Sequence, residues 1–169
     1  MLLNSERLTL RCLCQGDYEA LLQQVSHPTI YEAVAIIPRL NLEAFTTSWI
    51  QRSIYQNHEV ILGVDAREHG LIGQVALHFQ QEMTQQAELG YWLHPTFHGK
   101  GLMSEACRTL LDYANTALNI KEVIATCDIN NRASQRLLQG LGMQQIDTII
   151  LQTAEGLPRQ SFKFSRSLI

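Results

Sequence analysis

Residues 88–106 read ELGYWLHPTFHGKGLMSEA and decide the fold of this chain. An apolar, aromatic run ends at Pro95, a basic turn bracketed by two glycines follows at His98-Gly99-Lys100-Gly101, and an amphipathic pattern begins directly after it. This order predicts a strand, a tight loop and the start of a helix. Two glycines within three residues let the main chain approach a ligand closely, and the free N–H groups of a helix start attract anions. The turn is therefore a candidate phosphate-binding site.

A helix and a second strand are predicted after the glycine turn. The apolar face of the helix, which ends near Asn119, comprises Leu102, Ala106, Leu110, Tyr113, Ala114 and Ala117. The β-rich run at residues 122–128 then predicts a strand parallel to the one before the turn, because a crossover helix joins two parallel strands. Asn131 is the expected cap of a further helix, and Gly142 its left-handed end.

The flanking segments predict mostly antiparallel structure. Alternating or β-rich runs predict strands at residues 7–14, 58–66, 71–79 and 87–93 and a closing hairpin at residues 143–153 and 160–167. Helical spacing predicts helices at residues 18–25, with Asp17 as the cap, and from Asn41 to about Tyr55. Residues 29–40 predict an apolar loop with one helical turn, and residues 80–86 a polar connection.

These elements predict one α/β (α+β) domain that spans residues 1–169. Its sheet is expected to have seven strands and to be mixed and mostly antiparallel. A parallel βαβ crossover lies at the centre, and helices cover both faces.

Composition argues against several classes of partner. The chain has 13 basic and 16 acidic residues and a formal net charge of -3, so no global positive field attracts nucleic acid. No apolar run approaches the roughly 20 residues that cross a bilayer, and the start lacks a secretory cleavage pattern, which predicts a cytoplasmic protein without a membrane partner. The four cysteines lack CxxC spacing, and Pro95 separates His94 from His98, so we expect free thiols and no metal site.

The element order, with HGKGLMSEA after ELGYWL and NNRASQRLLQGLGM after a short strand, resembles the GNAT acetyltransferases. More narrowly, it resembles the RimJ/RimL-like branch, which contains the ribosomal-protein serine and alanine N-acetyltransferases. The resemblance covers the whole chain, and its most specific part is residues 88–143. It implies a GNAT fold, acetyl-CoA as the cosubstrate, a primary amine as the acceptor and direct attack in a ternary complex. Domains of this family often form a homodimer, but the oligomeric state stays open at the level of sequence.

The resemblance also assigns the cofactor turn. In this turn the family has Gln or Arg, then two residues of any type, Gly, one residue of any type, and Gly or Ala. Residues 98–103 match this pattern except at His98 and Met103. The implied cofactor-binding residues are His98, Gly99, Lys100, Gly101, Leu102, Met103 and Ser104. Binding through main-chain N–H groups tolerates a changed side chain at His98. Met103 either crowds the pyrophosphate or points into the core.

The chemistry implied by the family requires a neutral amine, a polarised carbonyl and a stabilised thiolate. Asn131 and Ser134 match the family residues that face the pantetheine arm. Many members carry a tyrosine that acts as the acid where this chain has Leu138. Ser134 is therefore the candidate acid. Glu88 is the candidate base, and the N–H near Leu93 the candidate carbonyl ligand. Each also has an ordinary interpretation, as a helix cap for Asn131 or a solvated surface group for Ser134 and Glu88.

Two questions remain open at the level of sequence. Protein N-termini, free amino acids, polyamines and aminoglycosides all fit as acceptors, with a mild preference for protein or peptide α-amines from the branch resemblance. A non-catalytic coenzyme A binding or sensing module on the same fold is the alternative to an enzyme.

A P-loop nucleotide site is set aside because the turn lacks the Walker spacing. Tyr31, Trp49 and Tyr91 fit either an acceptor cleft or the core.

Overall fold

A parallel strand pair joined by a long helix lies at the centre of the fold, as the sequence predicts. The structure is a computed structural model that describes residues 1–55, 58–79 and 85–168. The strands are β1 (Leu2–Asn4), β2 (Leu8–Arg11), β3 (Glu59–Ala66), β4 (Gly70–Phe79), β5 (Gln86–Leu93), β6 (Glu122–Asp128), β7 (Gln144–Gln152) and β8 (Pro158–Ser167). The helices are α1 (Tyr18–Val25), α2 (Pro28–Ala33), α3 (Leu42–Tyr55), α4 (Leu102–Ala117) and α5 (Arg132–Gly140).

The strands of the described residues form one mixed sheet in the order β1-β2-β3-β4-β5-β6-β8-β7. Among these eight described strands only the pair β5–β6 is parallel, and α4 makes the crossover between them. The predicted hairpins and mostly antiparallel sheet are confirmed. The predicted count of seven strands is wrong, because the sheet has eight. The additional strand, β1, has three residues, too few to show a period of two, and it forms by pairing with the edge of β2.

The sheet opens at its centre. β5 pairs with β6 over three positions, from Gln86–Glu122 to Glu88–Ile124, whereas β6 pairs with β8 along its whole length. Residues 89–93 of β5 therefore have no register with β6, and a wedge opens between the two strands. In this stretch β5 is still paired with β4 on its other side.

Apolar side chains cover both faces of the sheet. One core packs α4 and Leu138 of α5 against strand residues that include Leu89 and Val123. The other packs α1, α2 and α3 against residues that include Ile61 and Trp92. Alternation along β5 thus sends odd-numbered side chains to the α4 side and even-numbered ones to the α1–α3 side.

Local boundaries differ from the sequence prediction in three places. The first predicted strand is shorter, because its pairing with β3 ends at Arg11. The loop at residues 29–40 begins with α2, for which Pro28 is well suited since proline favours the first helical position. The predicted connection at residues 80–86 lies mostly outside the described residues.

Asp17 does not cap α1 through its side chain, contrary to prediction. Its carboxylate instead accepts hydrogen bonds from both terminal nitrogens of Arg11, at 2.7 and 2.8 Å, and from the Cys14 amide. Arg11 also donates to Asp65 of β3, and this shared arginine raises the cost of moving α1 away from the sheet. Burial alone would raise the pKa of Asp17, but the bonds from Arg11 and Cys14 outweigh it and hold that pKa below its usual value.

We expect Asp17→Asn to lower the free energy of unfolding at pH 7 by about 2 kcal/mol, because it weakens charged hydrogen bonds at a buried site. A depressed carboxyl pKa gives stability that is present above the unfolded-state value and lost as pH falls through the folded-state value. The difference between wild type and variant in thermal denaturation should therefore shrink below about pH 4. Asp112→Asn, on the exposed face of α4, is the matched control. An equal difference at pH 7 and pH 2 would contradict the ion-pair explanation.

Candidate active site

The glycine turn between β5 and α4 has the conformation that its sequence predicts. Gly99 and Gly101 adopt left-handed φ angles of 75° and 74°, which side chains disfavour. The first helical hydrogen bond runs from Glu105 N to Gly101 O at 3.1 Å, so the amides of residues 102–104 precede the first intrahelical donor. These amides lie at the positive end of a 16-residue helix. The turn is therefore built to hold an anion through its main chain.

Two side chains at the start of α4 are buried in the protein. Met103 is 5% exposed and lies in the α4-side core, so of the two sequence alternatives the structure shows the core position. Leu102 is also buried, and Ser104 is half-buried. Lys100 places its Nζ 5.3 Å from the centre of the Phe97 ring.

His98 joins the turn to the end of β5. Its Nε2 lies 2.8 Å from the Leu93 carbonyl oxygen, which only accepts, so Nε2 donates this bond. His94 N donates to Ile72 O of β4 at 2.8 Å. Because successive main-chain groups of a strand point to opposite sides, the N–H and C=O of Leu93 face the wedge. The bond from His98 occupies the Leu93 carbonyl, whereas the Leu93 N–H points into the opening.

The start of α4 is also tied to the N-terminal segment. Glu105 accepts hydrogen bonds from Arg7 N at 2.8 Å, Arg7 Nε at 2.7 Å and Ser5 Oγ at 2.7 Å. Arg7 Nη1 in turn donates to Lys100 O at 3.0 Å. Burial alone would raise the pKa of Glu105, but the bonds from Ser5 and Arg7 hold it below its usual value. Sequence reasoning missed this contact because about a hundred residues separate its partners.

On the α4 side of the wedge, Ser134 meets a tyrosine. Asn131 caps α5 as predicted, since its Oδ1 accepts from Ser134 N at 3.0 Å. The Ser134 hydroxyl lies 2.7 Å from the hydroxyl of Tyr91 on β5. Burial raises the pKa of Tyr91, which favours the protonated phenol. Leu138 is fully buried, and the hydroxyl beside Ser134 comes from Tyr91 on β5.

On the opposite side of the wedge, Glu88 lies at the last position where β5 pairs with β6. Thr126 of β6 donates to Glu88 Oε1 at 3.1 Å across the vertex. Glu59, His78 and Glu88 are direct register partners on three adjacent strands, so their side chains share this face. Arg52 of α3 completes the cluster by an ion pair with Glu59.

The structure thus brings the predicted residues to one opening but on different sides. The turn and Leu93 lie at its wide end, Ser134 and Asn131 on the α4 side, and Glu88 on the α1–α3 side. Trp49 is 1% exposed and belongs to the core, while Tyr31 packs against that core.

The described residues contain neither a metal-binding cluster nor a membrane-spanning helix. Within residues 1–55, 58–79 and 85–168, no group of three or more His, Cys, Asp or Glu side chains is arranged to hold a metal ion. None of the helices in these ranges has the length and apolarity of a membrane span.

Comparison with known proteins gives a consistent result. A family model described as an acetyltransferase (GNAT) domain matches residues 7–144. The uncharacterized N-acetyltransferase p20 of Bacillus licheniformis is 29% identical over 151 residues, which cover 85% of this chain and 82% of that protein. Two solved structures share the fold. The ribosomal-protein-S5-alanine acetyltransferase of Vibrio fischeri has a TM-score of 0.81 and 20% identity, over 99% of this chain and 96% of that chain. The spermidine N-acetyltransferase of Vibrio cholerae, in complex with CoA and spermine, has a TM-score of 0.82 and 21% identity, over 96% of each chain.

Proposed function

Because the chain belongs to the GNAT family of acetyl-CoA-dependent N-acetyltransferases, we propose that it moves the acetyl group directly from acetyl-CoA to a primary amine in a ternary complex. The observation that carries this proposal is the wedge between β5 and β6, with an anion-binding helix start at one end and a carboxylate at its vertex. A carrier with a diphosphate and a narrow arm fits this combination. The residue roles below are part of the proposal.

The main chain of the turn binds the pyrophosphate of acetyl-CoA. The segment comprises His98, Gly99, Lys100, Gly101, Leu102, Met103 and Ser104. Main-chain amides rather than side chains make the contact, chiefly the amides of residues 102–104, whereas the His98 amide donates to Pro95 O. The pantetheine arm then follows the unpaired side of β5, where the Leu93 amide donates to the thioester carbonyl and increases its positive charge at carbon. Asn131 lies beside this arm at the start of α5.

The acceptor enters from the α1–α3 side, where Glu88 takes a proton from the arriving ammonium group. An α-amine titrates near ~8 and a lysine amine near ~10.4, so either amine arrives largely protonated at pH 7. Ser134 lies on the other side and donates a proton or a hydrogen bond to the departing sulfur. The protonated phenol of Tyr91, 2.7 Å from the Ser134 hydroxyl, supports Ser134 in this role.

The acceptor is a protein or peptide N-terminus or a small-molecule amine. On the α1–α3 side, Val34 and Ile37 pack in the core, and residues 34–40 are hydrogen-bonded to the turn between β7 and β8. Ala154 N donates to Ala35 O at 2.8 Å, and Arg39 N donates to Glu155 Oε1 at 2.6 Å. We further propose a cytoplasmic location, a single domain over residues 1–169 and a homodimer, on the strength of the sequence and the family.

A coenzyme A release assay tests the function across a panel of N-terminal peptides, free amino acids, polyamines and aminoglycosides. We expect turnover with at least one class, and mass spectrometry of acetylated products from a cell extract would then identify the natural acceptor. Binding of acetyl-CoA without turnover on any amine would contradict the enzyme proposal and favour the binding or sensing module.

We expect Gly101→Trp to abolish acetyl-CoA binding in isothermal titration calorimetry. The substitution strains a left-handed residue and places an indole in front of the helix start. Gly156→Trp is the matched control, since Gly156 has the same φ of 74° in the β7–β8 turn and a Cβ there meets no atom within 4 Å. Normal affinity in the Gly101 variant would show that the pyrophosphate binds elsewhere.

We expect Glu88→Gln to lower kcat/KM about 100-fold at pH 7 and by less as the pH rises past ~8 for an α-amine acceptor, because neutral amine is then abundant without a base. Steady-state kinetics across this range provide the measurement. Glu19→Gln, on the exposed side of α1, serves as the control. A loss of the same size at every pH would assign Glu88 to positioning rather than to proton transfer.

A further inference from the structure

His78 lies where the proposed reaction needs a second base. It is the direct register partner of Glu88 and shares its face of the sheet. A Cβ built at Gly90 would lie 3.7 Å from the His78 Nε2 atom. Gly90 belongs to the stretch of β5 that has no register with β6, so Nε2 lies over the part of β5 that borders the wedge. Gly90 has no side chain that could stand between this nitrogen and the wedge, and the His78 side chain is 30% exposed.

The other side of the imidazole is fixed. Nδ1 lies 3.0 Å from Glu59 Oε2, and the ring of Trp49 packs edge-on at 6.1 Å. A carboxylate accepts but does not donate, so Nδ1 carries the proton and Nε2 presents its lone pair when the ring is neutral. Arg52 donates to both oxygens of Glu59 and holds that carboxylate in place.

The surrounding charges keep Glu59 ionised. Burial alone would raise its pKa, but hydrogen bonds and charge from Arg52, together with His78, hold that pKa below its usual value. Among the described residues, the charged groups that face His78 are Glu59 from β3, Glu88 from β5 and Arg52 from α3. A histidine in such a setting has a carboxylate partner behind it and an open nitrogen in front.

Acetylation of an ammonium group releases two protons from the same nitrogen. The first leaves before attack, and the second leaves the tetrahedral adduct, whose nitrogen still carries a positive charge. Until the second proton is removed, the amine can depart again in competition with the thiolate. One carboxylate that has just been protonated cannot take both. The reaction therefore benefits from two proton acceptors beside the wedge.

We propose that His78 is a further catalytic residue that accepts the second proton through Nε2, while Glu88 accepts the first. This inference rests on the proposed function. The amine lone pair forms the C–N bond and the carbonyl electrons move to oxygen. Nε2 then takes the proton from the adduct nitrogen, the carbonyl re-forms, and the C–S bond breaks with its electron pair on sulfur. One proton reaches solvent, and the other replaces the proton that Ser134 gives to the thiolate.

The pH dependence separates the two bases. We expect His78→Gln to lower kcat/KM about 100-fold at pH 7.5 and to remain impaired at pH 9, because the adduct nitrogen must lose its proton however much neutral amine is present. Glu88→Gln differs in this respect, since its loss is expected to shrink as the pH rises. The dissociation constant of acetyl-CoA should change less than about twofold, because Nε2 lies on the acceptor side.

A second variant keeps the histidine and blocks it. Gly90→Ala adds a methyl group at ordinary van der Waals distance from Nε2, so the fold should tolerate it while the nitrogen becomes shielded. We expect kcat/KM at pH 7.5 to fall at least about tenfold, with unchanged thermal stability. His69→Gln, in the exposed turn between β3 and β4, is the histidine control and should match wild type.

The outcomes are distinguishable. Turnover by wild type with unchanged kcat/KM in both His78→Gln and Gly90→Ala would overturn this inference and leave the proposed function standing. So would a His78→Gln loss that disappears by pH 9, because His78 would then act on the first proton rather than the second. Absence of turnover by wild type on every amine would overturn the proposed function and this inference with it. If His78→Gln fails to fold, the Gly90→Ala rate alone decides.

Discussion

The site depends on the early loss of pairing between two parallel strands. β5 and β6 share three register positions and then separate, while each keeps its antiparallel partner on the other side. A strand that is held on one edge alone keeps its shape and still exposes main-chain donors on the other edge. The Leu93 amide is such a donor, and the bond from His98 to the Leu93 carbonyl maintains the local geometry without using that amide. Rigidity and unsatisfied hydrogen-bonding capacity thus occur in the same segment.

Strand alternation then divides the chemistry. Glu88 and Tyr91 are three residues apart on β5, an odd separation, and therefore lie on opposite faces of the sheet. In the proposed reaction, groups that receive protons from nitrogen stand on the α1–α3 side, and hydroxyls that supply one to sulfur stand on the α4 side. This separation prevents an acid and a base from neutralising each other directly. The thioester between them is reached from both sides.

Local features of the fold could be predicted from sequence, whereas long-range contacts could not. The glycine turn, the Asn131 cap and the hairpins follow from backbone preferences that act within a few residues. The Glu105–Arg7 and Tyr91–Ser134 contacts join positions 98 and 43 residues apart, and no periodic pattern reports them. Asp17 shows the same limit, because a cap and an ion pair require the same residue type and only the approach of Arg11 decides between them. The resemblance to GNAT enzymes identified Glu88 and Ser134 as candidates but gave no signal for His78, whose significance depends on its neighbours across two strands.

Main-chain binding at the glycine turn has an evolutionary consequence. If the amides of residues 102–104 bind the cofactor, selection acts on the backbone conformation of the turn and only weakly on the identity of its side chains. Met103 can then pack in the core, and His98 can donate to the Leu93 carbonyl of β5, without loss of cofactor binding. Proteins with this architecture can therefore lose the consensus sequence of the turn during evolution. Distant members are better identified by the backbone conformation of the turn than by its amino-acid sequence.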